Sequence, residues 1–412
     1  MASELDAAIK ALTDNKITPG VGAVVIDKAG KELYNKAFGK NNANDDSSPN
    51  FTTKTEVLIW SQTKLVVAIC ALQLLEQGLL SLDDPVSKYL PDVGAIPIIT
   101  GWDDDGKPVT RPRTKEMRII HLMTHTSGIS YDFFEQDRLM YEYRIKNGQP
   151  AGAMLPISAE WQFKDIFLLF EPGERHHYGQ SMDILGLIID KISGMTLEDY
   201  VVQNVARPIG MHNTGAVFSV EGNERMIVHL KDDSGALAAV EAIKPADPPQ
   251  WKYGGGHFLV SSLHDYTQLL LTLLNEGTHP GTGNSILKPE TVRNHVFRDL
   301  IPDIGCSRRG LGHFTETINK PPNMGNAGDV IEHLNMPDEQ RGWSCGGLLI
   351  NSVDTEGCRK AGSGGWSGLG NLYFWLDPTA GKAGILGTSV FPFLDPDVLK
   401  VFEKVERFAY SA

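Results

Sequence analysis

Strand-like patterning is confined to the two ends of this chain, and that separation constrains the fold more than any other feature. Val21-Gly22-Ala23-Val24-Val25-Ile26-Asp27 and Lys31-Glu32-Leu33-Tyr34-Asn35-Lys36-Ala37-Phe38 flank Lys28-Ala29-Gly30 and predict a β-hairpin. Strand character returns only after about residue 340, at Gly347-Leu348-Leu349-Ile350, Asn371 to Leu376 and Ala383 to Val390. Short helices are expected over residues 3–15, Asp183 to Ser193 with Gly194 as C-cap, Leu197 to Val205, and Pro396 to Tyr410. Asp83 or Asp84 is expected to cap a helix with Pro85 at its first position. From about 90 to 240 the pattern reads as helix and loop. The expected fold class is therefore α+β, with an antiparallel sheet formed from both chain ends and flanked by helices. Residues 1–90 and 240–412 would form that sheet lobe, and 91–239 an inserted, mainly helical lobe. The cleft between them is the natural place for an active site.

One stretch in the first lobe carries chemistry. Ile59-Trp60-Ser61-Gln62-Thr63-Lys64 runs into Leu65-Val66-Val67-Ala68-Ile69-Cys70-Ala71-Leu72, an apolar helix with few polar positions before Gln73. Residues three apart share a helix face, so the Ser61 hydroxyl and Lys64 amine can meet. A lysine buried there is costly unless used or paired, because desolvation drives it toward its neutral form. A neutral lysine beside a serine is a general base beside a nucleophile.

Composition narrows the class. The chain has 412 residues, 41% hydrophobic and 22% charged, which fits a globular enzyme with a large core. Its formal charge of -13 argues against nucleic acid or an anionic membrane surface as partner. Cys70, Cys306, Cys345 and Cys358 show no metal spacing, which favours a reducing compartment. No signal-peptide pattern opens the chain and no apolar run is long enough to span a bilayer, so a cytoplasmic location is expected.

Two other serines and one histidine group compete with Ser61. Ser285-Ile286-Leu287-Lys288 repeats the spacing but reads as a solvated helix start. Gly342-Trp343-Ser344-Cys345-Gly346 is a literal G-x-S-x-G, yet no histidine follows His333, so the order Ser, Asp, His cannot be completed. His121, His125, His176 and His177 lack the HExxH signature, and local hydrogen bonding is the favoured reading.

Ser61-Gln62-Thr63-Lys64 resembles the first motif of the serine β-lactamase and penicillin-binding-protein superfamily. The likeness to its class C branch extends through Glu76 to Val86, Tyr89-Leu90-Pro91, His121 to Gly128, Pro208 to Met211, and Gly254-Gly255-Gly256-His257. It implies a β-lactamase-like fold with no metal or organic cofactor. It implies that Tyr178, in Tyr178-Gly179-Gln180, shuttles the serine proton once the charge on lysine lowers its pKa. The third motif, a Lys-Thr-Gly strand in that family, falls at Trp366-Ser367-Gly368, and the backbone N–H groups of Ser61 and Leu369 would form the oxyanion hole. Gln180 stands where the family has asparagine, and Trp366 where it has lysine, so both handles for a charged lactam are gone. Trp366 is expected as a flat apolar pocket wall. Ser367, Gly368, Gln180, His257 and Asp104 complete the expected substrate-binding set, the last within Gly101-Trp102-Asp103-Asp104-Asp105-Gly106. That segment is similar to the fungal acyltransferases of statin-type polyketides, and Trp-x-Gly to the family VIII carboxylesterases.

The resulting expectation is a serine esterase that hydrolyses a neutral carboxylic ester through a Ser61 acyl-enzyme. The alternative is an acyltransferase moving an acyl group from an ester or thioester, or from an acyl carrier, to a polyketide-type alcohol. A β-lactamase or D-amino-acid peptidase is a further alternative, weakened by Trp366 and Gln180.

Overall fold

The computed structural model describes residues 2–131, 157–158, 166–232, 234–241, 251–311 and 336–411. Its centre is a seven-stranded antiparallel sheet. The strands are β1 (Gly20–Asp27), β2 (Glu32–Gly39), β3 (Arg341–Trp343), β4 (Leu349–Asn351), β5 (Gly364–Gly368), β6 (Leu372–Asp377) and β7 (Lys382–Gly387), in the spatial order β3-β4-β5-β6-β7-β1-β2. The early hairpin thus adds to the late strands, with Val24 opposite Ile385 across the β1–β7 seam.

Helices cover both faces. The helices of the chain include α1 (Ala2–Asp14), α2 (Thr63–Glu76), α3 (Ile119–Met123), α4 (Ser181–Ser193), α5 (Leu263–Leu274) and α6 (Pro396–Ser411); α1, α5 and α6 pack on the sheet, while α4 packs on α2 and α3. Tyr373 and Trp375 of β6 contact Phe402 of α6, while Phe374 between them contacts Tyr266 of α5. Successive strand side chains point to opposite faces, so α5 and α6 lie on opposite sides of the sheet. Every residue of α2 from Thr63 to Leu74 is buried, so it runs through the core.

Three local expectations change. The middle of the chain is not only helix and loop: Ile98–Trp102 pairs with Pro108–Arg111, and Val228–Lys231 with Leu237–Val240. The acidic segment Asp103 to Gly106 is the turn of the first of these hairpins, and β-branched residues flank it. No side chain caps a helix at Pro85; Val86–Lys88 is a single 3₁₀ turn, and Asp84 instead accepts from the Tyr89 hydroxyl at 2.6 Å. α4 begins at Ser181, two residues earlier than expected, which places Asp183 inside the helix. Strands β3 and β5 had no apolar run to announce them. Among the described residues no helix is long and apolar enough to cross a membrane.

Candidate active site

The nucleophile turn is a 3₁₀ turn, Trp60–Gln62, that leads directly into α2. Ser61 therefore lies just before the α-helix and Lys64 in its first turn. Trp60 adopts φ +49, a left-handed backbone that costs a bulky residue about 1–2 kcal/mol. Its surroundings hold it there: Phe391 packs edge-on against its ring at 5.6 Å, and Tyr266 donates its hydroxyl to the Gln62 carbonyl at 3.0 Å.

Lys64 is fully buried. Its Nζ lies 3.1 Å from Ser61 Oγ, 2.9 Å from the Tyr131 hydroxyl and 2.8 Å from the Gly256 carbonyl. The rings of Tyr178 and Tyr131 flank it, with centroids at 4.7 and 5.3 Å. Burial brings Lys64 down to about 7, opposed by the charge of Asp183. Near neutral pH it is thus poised between ammonium and free amine, as a general base must be.

Tyr178 is hydrogen-bonded to Ser61 and accepts the indole N–H of Trp366 at 3.1 Å. Burial raises its phenol well above the ordinary tyrosine value, and the two hydrogen bonds only partly oppose this. This corrects the expectation that lysine lowers it: at rest Tyr178 is a neutral phenol, because desolvation of a phenolate outweighs the help available. Lys64, not Tyr178, is the group ready to accept the serine proton.

Trp366 is the residue expected as a flat apolar pocket wall. It is 4% exposed, packed edge-on to Trp343 at 4.7 Å and tilted against Tyr178 at 4.9 Å. Its indole N–H fixes the position of the tyrosine hydroxyl. Ser367 and Gly368 follow it within β5 and are buried. The end of β5 presses on the nucleophile turn: a Cβ on Gly368 would stand 2.5 Å from the Ile59 carbonyl oxygen. Leu369, half-buried, comes next. Gln180 is buried at the start of α4, two residues after Tyr178, without capping the helix through its side chain. His257 is half-buried, its Nδ1 3.4 Å from Asp183 Oδ1. Asp104 is not brought to this cluster. It is exposed in the hairpin turn between Trp102 and Pro108, because the acidic segment folds on itself through the Asp103 side chain.

The competing groups take structural roles. Ser344 is fully buried and its Oγ accepts the Gly346 N–H at 3.1 Å. Ser285 and Lys288 are exposed, with Ser285 Oγ 2.7 Å from Thr278 Oγ1. His121 Nδ1 accepts the Arg118 N–H, His125 Nδ1 that of Gly179, and His177 Nε2 lies 2.8 Å from Ser130 Oγ. These contacts shape the loops around Tyr178. His333 lies outside the described residues. Sequence reasoning passed over Tyr131 and Asp183. Asp183 alone left a signal, an acid beside Met182 and Ile184 in an apolar helix.

A model of the family described as Beta-lactamase matches residues 5–400. Monacolin J acid methylbutanoyltransferase of Aspergillus terreus is 26% identical over 411 residues, covering 97% of this chain and 94% of that protein. Lovastatin esterase of Penicillium rubens is 27% identical over 410 residues, covering 98% and 96%. Among solved structures, a mutant of the simvastatin synthase LovD from Aspergillus terreus superposes with a TM-score of 0.80 at 26% identity, over 100% of this chain and 94% of that one. With Ser61, Lys64 and Tyr178 assembled inside that fold, the chain belongs to the beta-lactamase family and is a serine-type enzyme of it.

Proposed function

We propose that this enzyme is a serine esterase that hydrolyses a neutral carboxylic ester of a small molecule through a Ser61 acyl-enzyme. The observation that carries the reading is Lys64, buried, brought down to about 7 and 3.1 Å from Ser61 Oγ. Ser61 attacks the ester carbonyl as its proton passes to the free amine of Lys64. The oxyanion sits between the backbone N–H groups of Ser61 and Leu369. When the intermediate collapses, the leaving alkoxide takes a proton from Tyr178, whose phenolate is held by Trp366 and the new Lys64 ammonium. Water then attacks the acyl carbonyl, giving its proton to Tyr178. Lys64 returns a proton to Ser61 Oγ as the acid departs. No step calls on a cofactor.

Trp366 in place of a lysine leaves no cation at that motif for a substrate carboxylate, which disfavours a charged lactam or peptide terminus. Gln180, Ser367, Gly368 and His257 surround this centre and are its proposed substrate contacts. A second reading, transfer of the acyl group to a polyketide-type alcohol, is favoured by the full-length similarity to a methylbutanoyltransferase. The donor would then be an ester, a thioester or an acyl carrier.

The test incubates the enzyme with p-nitrophenyl esters from acetate to octanoate, with and without an acceptor alcohol, and identifies products by mass spectrometry. Ser61→Ala should abolish p-nitrophenol release while the circular dichroism spectrum is retained. Substantial residual turnover would sink the assignment, and an ester product formed with the alcohol would favour transfer over hydrolysis.

A further inference from the structure

Asp183 is 2% exposed, in the first turn of α4. Two separate parts of the chain, the Gly256-His257 segment and Tyr131, meet its carboxylate. The Gly256 N–H donates to Oδ1 at 3.2 Å, His257 Nδ1 lies 3.4 Å from Oδ1, and the Tyr131 hydroxyl donates to Oδ2 at 3.5 Å. The glycine run makes room for it. A Cβ on Gly254 would stand 2.2 Å from Oδ1, and one on Gly256 2.6 Å from Oδ2 and 2.9 Å from the Tyr131 hydroxyl. Two of these partners also hold Lys64, since Nζ bonds both the Gly256 carbonyl and the Tyr131 hydroxyl. One peptide and one phenol thus bridge the buried acid to the buried amine.

We propose that Asp183 is a positioning residue for the acyl-transfer chemistry: through Tyr131 and the Gly256 peptide it fixes Lys64 Nζ against Ser61 and supplies its counter-charge. The proposal rests on the acyl-enzyme reading given above. Lys64 faces Ser61 and Tyr178 on the substrate side and Tyr131 and Asp183 behind. His257 stands beyond Asp183, and the neutral ring of His125 is tilted against Tyr178 at 4.6 Å. Asp183 is the anion that opposes the desolvation of the amine. Without it, the ammonium has the full burden of burial and gives up its proton at lower pH.

The experiment compares pH profiles of kcat/KM for p-nitrophenyl ester cleavage in the unmodified enzyme, Asp183→Asn, Tyr131→Phe and His257→Gln. In Asp183→Asn the acid limb should move down by about one to two pH units, the size expected for charges one hydroxyl apart. The plateau should fall about tenfold or more as Nζ loses its fixed place. Tyr131→Phe, which keeps the carboxylate and guards against a misfolded Asn variant, should shift the limb the same way by less. His257→Gln should leave a limb in place. A limb unmoved in both of the first two variants, or one that disappears in His257→Gln, would overturn the proposal. The Ser61 adduct is followed by mass spectrometry in the same samples. If the unmodified enzyme forms no acyl-Ser61, the acyl-enzyme reading fails and takes this one with it; if the adduct forms and the limb does not move, only the Asp183 assignment fails.

Discussion

Trp366→Phe tests whether a buried indole helps the chemistry or only fills space. The indole N–H donates to the Tyr178 hydroxyl at 3.1 Å, with both side chains buried. A neutral hydrogen bond of this kind contributes about 0.5–1.5 kcal/mol, and one to a charged acceptor about 1.5–3 kcal/mol. Tyr178 is a phenol at rest, and in the proposed mechanism it gains phenolate character as it protonates the leaving group. The rate reads the difference, about 1–2 kcal/mol, which is roughly a 5- to 30-fold fall in kcat/KM. KM should change little, because the bond strengthens only in the transition state. The fold loses something separate. Trp366 packs against Trp343 and Tyr178, and the smaller ring leaves a cavity costing roughly 1–3 kcal/mol. Urea denaturation measures the second loss, and stopped-flow release of p-nitrophenol measures the first. A variant with lowered stability and an unchanged acylation rate would refute the reasoning and leave Trp366 as packing alone.

Gly368→Ala should separate β5 from the nucleophile turn, since its Cβ would meet the Ile59 carbonyl oxygen at 2.5 Å and neither backbone can yield. If Leu369 N–H serves the oxyanion, kcat should fall by about 100-fold with a smaller change in KM; an unaffected kcat would place the oxyanion elsewhere. Stability should also depend on pH through His176 and His177. Each is held near 3, first by burial, with the adjoining His177 ring further opposing protonation of His176 and the Arg175 guanidinium that of His177, against about 6.5 in an unfolded chain. Below about 6.5 the unfolded state binds more protons, so stability is complete above that pH and is lost as pH falls toward 3. At pH 5 each should cost about 2 kcal/mol, visible as a lower urea midpoint than at pH 7; a flat profile would contradict their burial as neutral rings.

How far the site was legible follows the range of the interactions involved. Ser61 and Lys64 are three residues apart, and helix geometry alone brings them together. Tyr178 and Trp366 were located by motif order, but their relation was not. The indole expected as a pocket wall also donates a hydrogen bond to the tyrosine, a contact between residues far apart in the chain that spacing does not reveal. Asp104 lies in an exposed hairpin turn that satisfies itself locally through the Asp103 side chain. Strand β5 was legible only as a motif, since Gly364-Gly365-Trp366-Ser367-Gly368 has little strand propensity and is a strand because β4 and β6 pair with it on either side.

The sequence by itself determined the two-ended sheet with most of its strands, and a serine and lysine three residues apart at the start of an apolar helix. These depend on period and spacing, which are local properties of a chain. The tertiary structure decided the protonation states on which the chemistry turns. Whether Lys64 is free amine or ammonium, and whether Tyr178 is phenol or phenolate, depends on how much water is excluded and on which charge lies nearby. Tyr131, Asp183 and the Gly256 peptide come to Lys64 from distant parts of the chain, and desolvation and Coulomb energy act through space.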